Sequence, residues 1–246
     1  MNLNPEEIER YDRQIRVFGI NGQKKLKNSS VLVVGAGGLG SAVLYYLAAA
    51  GVGKIIVVDP ENVELSNLNR QIIHFTHDIG KEKVVSAKEK LKALNPHVEV
   101  IGIKKYFDEK LGDEVVPQVD VVVDALDNWD TRIVLNKICV KYRKPLVHAG
   151  VREAYGQLLV IMPGKGPCLQ CVFPSKIKEE RPFPILGPTP GILGAMEALE
   201  VIKIITGYGE PLVGRLLLFD GKNNVFTEIK VKRNPKCPVC GHIKEQ

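Results

Sequence analysis

The sequence predicts an α/β protein built on an open, doubly wound sheet whose C-terminal half mixes in antiparallel strands. Three observations predict this. Short apolar runs alternate with helical periodicity between residues 31 and 150. The first run, "VLVV" at 31–34, leads directly into Gly35, Gly37, Gly38 and Gly40 and then an apolar helix pattern. Beyond residue 150 the alternation gives way to strand-like runs bounded by turns, "GQLLVIMP", "GRLLLFDG" and "NVFTEIKVK".

Taken in order, residues 4–28 place Ile8, Tyr11, Ile15 and Phe18 at helical spacing, with Gly19 and Gly22 expected to break the helix. A buried strand at 31–34, a helix at 40–50 and a strand at 54–59 follow. A loop then carries "NVELSNLNRQ". Helices are expected near 80–93, 108–116 and 130–142, and strands near 97–103, 119–124 and 145–151. Residues 174–191 are rich in Pro, Lys and Glu without periodicity, which predicts a mobile crossover loop. A helix resumes at "GILGAMEALEVIKIITG", and the last two strands form a hairpin. No linker separates domains. Residues 1–246 are expected to form one domain, with an N-terminal helical segment (1–30), a nucleotide half (31–150) and a C-terminal half (151–246).

At 45% hydrophobic and 25% charged, the 246 residues have ordinary soluble composition and suffice for one large core. No apolar run is long enough for a membrane span, and the polar N-terminus is unlike a signal peptide, so a cytoplasmic location is expected. The formal charge of +6 suits anionic ligands and acidic partners. The basic residues are scattered, and "KEKVVSAKEKLKALN" alternates signs as a solvated helix face does; nucleic-acid binding is not expected.

Strand, glycine turn, helix is the setting in which a glycine fingerprint brings backbone N–H groups close to a phosphate. Asp59 ends the next strand, about 20 residues on, where a carboxylate can accept from ribose hydroxyls. The alternatives are a ligand-free βα turn and a turn carboxylate before Pro60. These features indicate an adenine nucleotide and leave NAD and ATP both open.

Five cysteines are present. Cys168 and Cys171 form one C-x-x-C, and Cys237 and Cys240 another, each bracketed by turn residues. Two such knuckles can converge on a structural Zn²⁺ with all four positions filled. A redox pair is the alternative, and His242 is a possible substitute ligand. Cys139, alone in "LNKICVKY", reads as a core residue. His148 is expected to be structural, and Trp129 to pack without chemistry.

"RYDRQIRVFG", "VLVVGAGGLGS", "VDPENVELSNLNRQ", "GKEKV" and "DALDN" occur in that order before the cysteine pairs. The set resembles the E1-like activating enzymes of the molybdopterin and thiamin sulfur-carrier type, most of all the molybdopterin-synthase adenylyltransferase group. The resemblance runs along nearly the whole chain. It implies a Rossmann-like sheet and ATP as the nucleotide. Asp59 would hold the ribose, the Gly35–Gly40 loop would lie beneath the nucleotide, and Asn67, Arg70 and Lys83 would meet the phosphates. Asp127 would hold Mg²⁺, and Arg13 would enter from the second subunit of a homodimer. The implied substrate is the C-terminal Gly-Gly carboxylate of a small ubiquitin-fold carrier protein, activated as an acyl-adenylate. The chemistry is sound in itself: adenylation needs cations on the three phosphates and a carboxylate on the bridging metal. Arg suits bidentate phosphate contact and Lys supplies a point charge.

Family members that form a thioester commonly carry a cysteine in the crossover loop. Here no cysteine lies between Cys171 and Cys237, so adenylation without an enzyme thioester is expected, with transfer to an external sulfur donor. Three rivals stand beside this reading: a nicotinamide-dependent oxidoreductase, a silent scaffold for a ubiquitin-like protein, and a tRNA-modifying E1-like dehydratase that activates a carboxylate on a modified adenosine.

Overall fold

The computed structural model describes residues 2–174 and 183–243. Among them, eight strands form a single sheet in the order β3-β2-β1-β4-β5-β6-β7-β8. The strands are β1 (Ser30–Val34), β2 (Lys54–Val58), β3 (Glu99–Ile103), β4 (Val121–Asp124), β5 (Leu146–Arg152), β6 (Tyr155–Ile161), β7 (Arg215–Asp220) and β8 (Val225–Lys230). β1 to β5 pair in parallel, and β5 to β8 pair antiparallel. The mixed sheet read from the sequence is therefore present, with the change of direction between β5 and β6.

The helices are α1 (Pro5–Arg10), α2 (Asp12–Lys27), α3 (Gly38–Ala50), α4 (Lys83–Leu94), α5 (Glu109–Val115), α6 (Trp129–Lys141), α7 (Leu169–Val172) and α8 (Pro188–Thr206). Central strands are buried on both faces, which explains their unbroken apolar runs. On one face Val31, Val33, Val57 and Val123 pack with Leu44 and Leu47 of α3, Leu91 of α4 and Val201 of α8. On the other, Leu32, Val34, Ile56 and Val122 pack with Leu111 of α5, Leu135 and Ile138 of α6, and the cysteine knuckles.

Two expectations need correction, and one short helix is additional. Gly19 does break α2, with φ of 75°, but Gly22 does not: it lies inside the helix. A Cβ at Gly22 would stand 2.6 Å from the Phe18 ring, so the residue is small to admit that ring. α7 was not foreseen, because four residues carry no periodicity. α8 begins at Pro188, inside the span read as loop; Pro188 and Pro190 sit in its first turn, where proline's missing N–H costs nothing. Residues 175–182 of the expected mobile loop lie outside the described residues.

Candidate nucleotide site and cysteine centre

β1 lies between β2 and β4, so the chain leaves the C-terminal ends of β1 and β4 in opposite directions. Such a switch point opens a crevice for ligands. The glycine loop follows β1, and the segment carrying Asp127 follows β4. The two touch: a Cβ at Gly35, where φ is 106°, would stand 2.4 Å from the Ala125 carbonyl oxygen. A Cβ at Gly40 would stand 2.1 Å from the Gly35 carbonyl oxygen. Gly37 caps α3 and Gly38 opens it, with no acidic residue in the first turn. The unpaired N–H groups of that turn suit an anion.

Asp59 is buried at the end of β2. Its Oδ2 accepts from Ala36 N–H at 2.8 Å and its Oδ1 from Glu61 N–H at 2.9 Å. Burial pushes its carboxyl above the ordinary value, against the pull of Lys83 and these two donors. Each oxygen keeps a lone pair for a ribose hydroxyl. Lys83, at the start of α4, is only 2% exposed, yet its Nζ reaches Glu61 Oε2 at 2.5 Å. Glu61 itself is exposed. The pair thus runs from the interior to the rim of the crevice.

Asn67 is buried, and its Oδ1 accepts from Glu64 N–H at 3.0 Å. Arg70 is half-buried and donates from Nη1 to Ser66 O at 2.8 Å and to Asn69 Oδ1 at 3.0 Å. The segment that carries it borders the glycine loop, because the Arg70 carbonyl lies 3.6 Å from a Cβ built on Gly38. Asp127 is exposed, one residue before Asn128, which caps α6 through Thr131 N–H at 2.8 Å. Arg13 is exposed on α2; its neighbour Gln14 donates to Ala50 O at the C-terminal end of α3, the end away from the glycine loop.

Sequence reasoning passed over a buried network behind this crevice. Asp124 ends β4 with its Oδ2 2.6 Å from His148 Nδ1 and its Oδ1 3.5 Å from Arg132 Nε. Arg132 donates to Ala149 O at 2.9 Å and to Leu126 O, the residue before Asp127. Glu197 of α8 is buried nearby; burial first, and the Asp124 charge second, push its carboxyl well above the usual range. His148 is fully enclosed, and Trp129 packs edge-on to Phe173. The signal available was that the apolar run "VVVD" ends on a charged residue. His74 also escaped notice, for no motif marks it.

The four paired cysteines converge on the α6 side of the sheet. Their Sγ atoms all lie within 4.8 Å of one another. Cys168 to Cys171 is 3.9 Å, Cys168 to Cys237 is 3.6 Å, and Cys171 to Cys240 is 3.3 Å. Zn–S bonds of about 2.3 Å would set tetrahedral sulfurs about 3.8 Å apart, so the set fits one Zn²⁺. Arg233 braces the second knuckle by donating to Cys240 O at 2.6 Å. Cys139 is fully buried, and burial pushes its thiol far up.

Residues 11–239 match the ThiF family. Protein HesA of Trichormus variabilis is 41% identical over 245 residues, covering 98% of this chain and 92% of its own. A sulfur carrier protein adenylyltransferase of Thermus thermophilus is 41% identical over 253 residues, covering 98% and 93%. The adenylyltransferase and sulfurtransferase MOCS3 of Drosophila ananassae is 43% identical over 246 residues, but this chain spans only 54% of it. Among solved structures, Escherichia coli MccB with MccA-N7isoASN superposes with a TM-score of 0.86 at 28% identity, covering 98% of this chain and 76% of that one. MccB with ATP gives 0.83 at 29% identity, covering 94% and 74%. On a match that spans the nucleotide crevice and reaches into the second knuckle, the chain belongs to the ThiF family, and it is an adenylyltransferase.

Proposed function

We propose that the protein uses ATP to adenylate the C-terminal Gly-Gly carboxylate of a small ubiquitin-fold sulfur-carrier protein, releasing pyrophosphate. One observation carries the reading: the glycine loop and the Asp127 segment meet backbone to backbone at the switch point, with Asp59, Lys83 and Glu61 around them. That arrangement suits ATP, as does the likeness to MccB solved with ATP. The carrier is suggested by the Thermus relative's name.

The residue roles follow from charge and place. Asp59 orients the ribose. The first turn of α3, the amide end of Asn67, Arg70 and Lys83 bind the phosphates. Asp127 holds Mg²⁺, which would neutralise phosphate charge as pyrophosphate leaves. The carrier carboxylate is already ionised at neutral pH, so it attacks the α-phosphorus without a protein base. The enzyme's contribution is alignment and charge neutralisation. Arg13 completes the phosphate site of a second subunit. A homodimer is part of this reading, and Gln14, the residue after Arg13, lines a surface groove with the exposed Tyr46 and Leu199.

The paired cysteines hold a structural Zn²⁺ with no open position. With Cys139 enclosed and the other thiols committed to the metal, the adenylate passes to an external sulfur donor without an enzyme thioester. A cytoplasmic location belongs to the same reading. Among the described residues no helix is long and apolar enough to cross a membrane.

The test is exchange of labelled pyrophosphate into ATP with Mg²⁺ and candidate carriers. Exchange that requires the carrier's terminal glycine, with a carrier-AMP mass, supports the reading. Exchange driven instead by a tRNA bearing a carboxylated adenosine would select the dehydratase, and NADH binding without ATP binding would select an oxidoreductase.

A further inference from the structure

His74 stands between the glycine loop and α4. It is 3% exposed and belongs to the irregular segment after Arg70. Its Nε2 lies 2.9 Å from Ala36 O, and its Nδ1 lies 2.8 Å from Ser86 Oγ. A carbonyl only accepts, so Nε2 carries the proton and donates. Burial pushes the imidazole down to about 4, so the ring is neutral near pH 7 and Nδ1 accepts from the Ser86 hydroxyl.

Both partners belong to phosphate-binding elements. Ala36 is the non-glycine residue between Gly35 and Gly37. Asp59 holds its N–H at 2.8 Å, and His74 holds its carbonyl. The two peptide groups flanking Ala36 are therefore fixed, and with them the path of the loop into α3. Ser86 lies on α4 three residues after Lys83, so the two share a helix face. Ser86 is itself anchored by Lys90 Nζ at 3.0 Å. A shift of α4 would thus be felt at the glycine loop through one ring.

We propose that His74 is a positioning residue that fixes the glycine loop relative to the helix carrying Lys83, so that backbone donors and the lysine cation meet the same triphosphate. The proposal rests on the ATP reading above. His74 touches no substrate; its effect passes through Ala36 and Ser86. The ring joins the two elements by a hydrogen bond at each end, and a side chain lacking either the donor or the acceptor breaks the link.

Calorimetric ATP titration of the full chain tests this, with thermal melting as a control. His74→Leu keeps bulk but removes both hydrogen bonds and should weaken ATP binding about tenfold. His74→Gln offers a donor and an acceptor and should bind within about twofold of the parent. His74→Leu combined with Lys83→Met should lose less affinity than the product of the single losses, because the ring acts by placing that lysine's partner loop. Where His74→Leu does not fold, Ser86→Ala breaks the same link from the other side and should weaken binding about threefold. Folded His74→Leu or Ser86→Ala that binds ATP like the parent overturns the proposal, as does equal weakening by Leu and Gln, or strict multiplicativity with Lys83→Met. A parent protein that binds no ATP overturns the nucleotide reading along with it; a parent that binds ATP beside an unaffected His74→Leu overturns the positioning role alone.

Discussion

Gly35 and Ala125 are joined through space: a Cβ on Gly35 would stand 2.4 Å from the Ala125 carbonyl oxygen. The residues lie after β1 and β4, and their contact brings the glycine loop against the segment that leads to Asp127. Gly35→Ala faces both that oxygen and a φ of 106°. We expect a loss of at least about 2 kcal/mol of stability, read by urea denaturation, with ATP binding reduced.

Asp127→Ala should leave the fold intact, since the residue is exposed. Pyrophosphate–ATP exchange should fall about a hundredfold or more, as loss of a charged contact to the reacting phosphates costs about 3 kcal/mol. Mixing Arg13→Ala chains with Asp127→Ala chains should restore part of the exchange, because one of the two composite sites in a mixed dimer would be whole. Exchange that stays absent in a verified mixed dimer would count against Arg13 acting across the interface.

Elemental analysis should find about one zinc per chain. Cys237→Ser should lower the melting temperature by several degrees and release the metal; on the scale of zinc-dependent folding the effect is large. Four thiols titrating freely in metal-free protein of unchanged stability would reject the site.

A pH dependence follows from His74. Its folded value of about 4 lies below the ordinary 6.5. Between those values the unfolded chain binds a proton that the folded chain refuses, so stability rises with pH across this window and is lost as pH falls through it. Asp78, Lys83 and Lys90 are the charged groups that face the ring. The contribution is on the order of 3 kcal/mol. The difference in urea-unfolding free energy between the parent and His74→Gln should therefore change between pH 6.5 and pH 4; a constant difference would show that the ring protonates without cost.

Incubation with ATP, Mg²⁺ and the cognate carrier should give carrier-adenylate and no enzyme–carrier band on a non-reducing gel. A reducible adduct at Cys139 or at a paired cysteine would contradict the enclosure of Cys139 or the metal commitment of the pairs.

Much of this was legible in the sequence where one short segment carries the whole signal. β1, β2 and β4 declare themselves as apolar runs because both sheet faces are covered. The glycine loop, Asp59 and the C-x-x-C pairs are likewise local patterns. What escaped depends on residues distant in the chain. His74 meets Ala36 across 38 positions, and Lys83 meets Glu61 across 22. Asp124 and Arg132 acquire meaning only when β5 brings His148 and Ala149 alongside. Gly22 misled because glycine's helix penalty is intrinsic, whereas its benefit, room for Phe18, is a contact.

The two knuckles also change how the sheet can come apart. Cys168 and Cys237 are 69 positions apart, and α8, β7 and β8 all lie between them. With a metal in place that stretch is a closed ring of chain, anchored at both ends on the α6 side of the sheet. β8 is the outermost strand and exposed along its whole length, the place where a sheet ordinarily peels. Its C-terminal end, at Lys230, runs within a few residues to the tethered Cys237. Peeling from that end would have to drag the metal centre with it, so the edge can open only from the β7–β8 turn. Hydrogen exchange along β8 should accordingly be fastest beside that turn and slow toward the knuckle, a gradient that chelation would flatten.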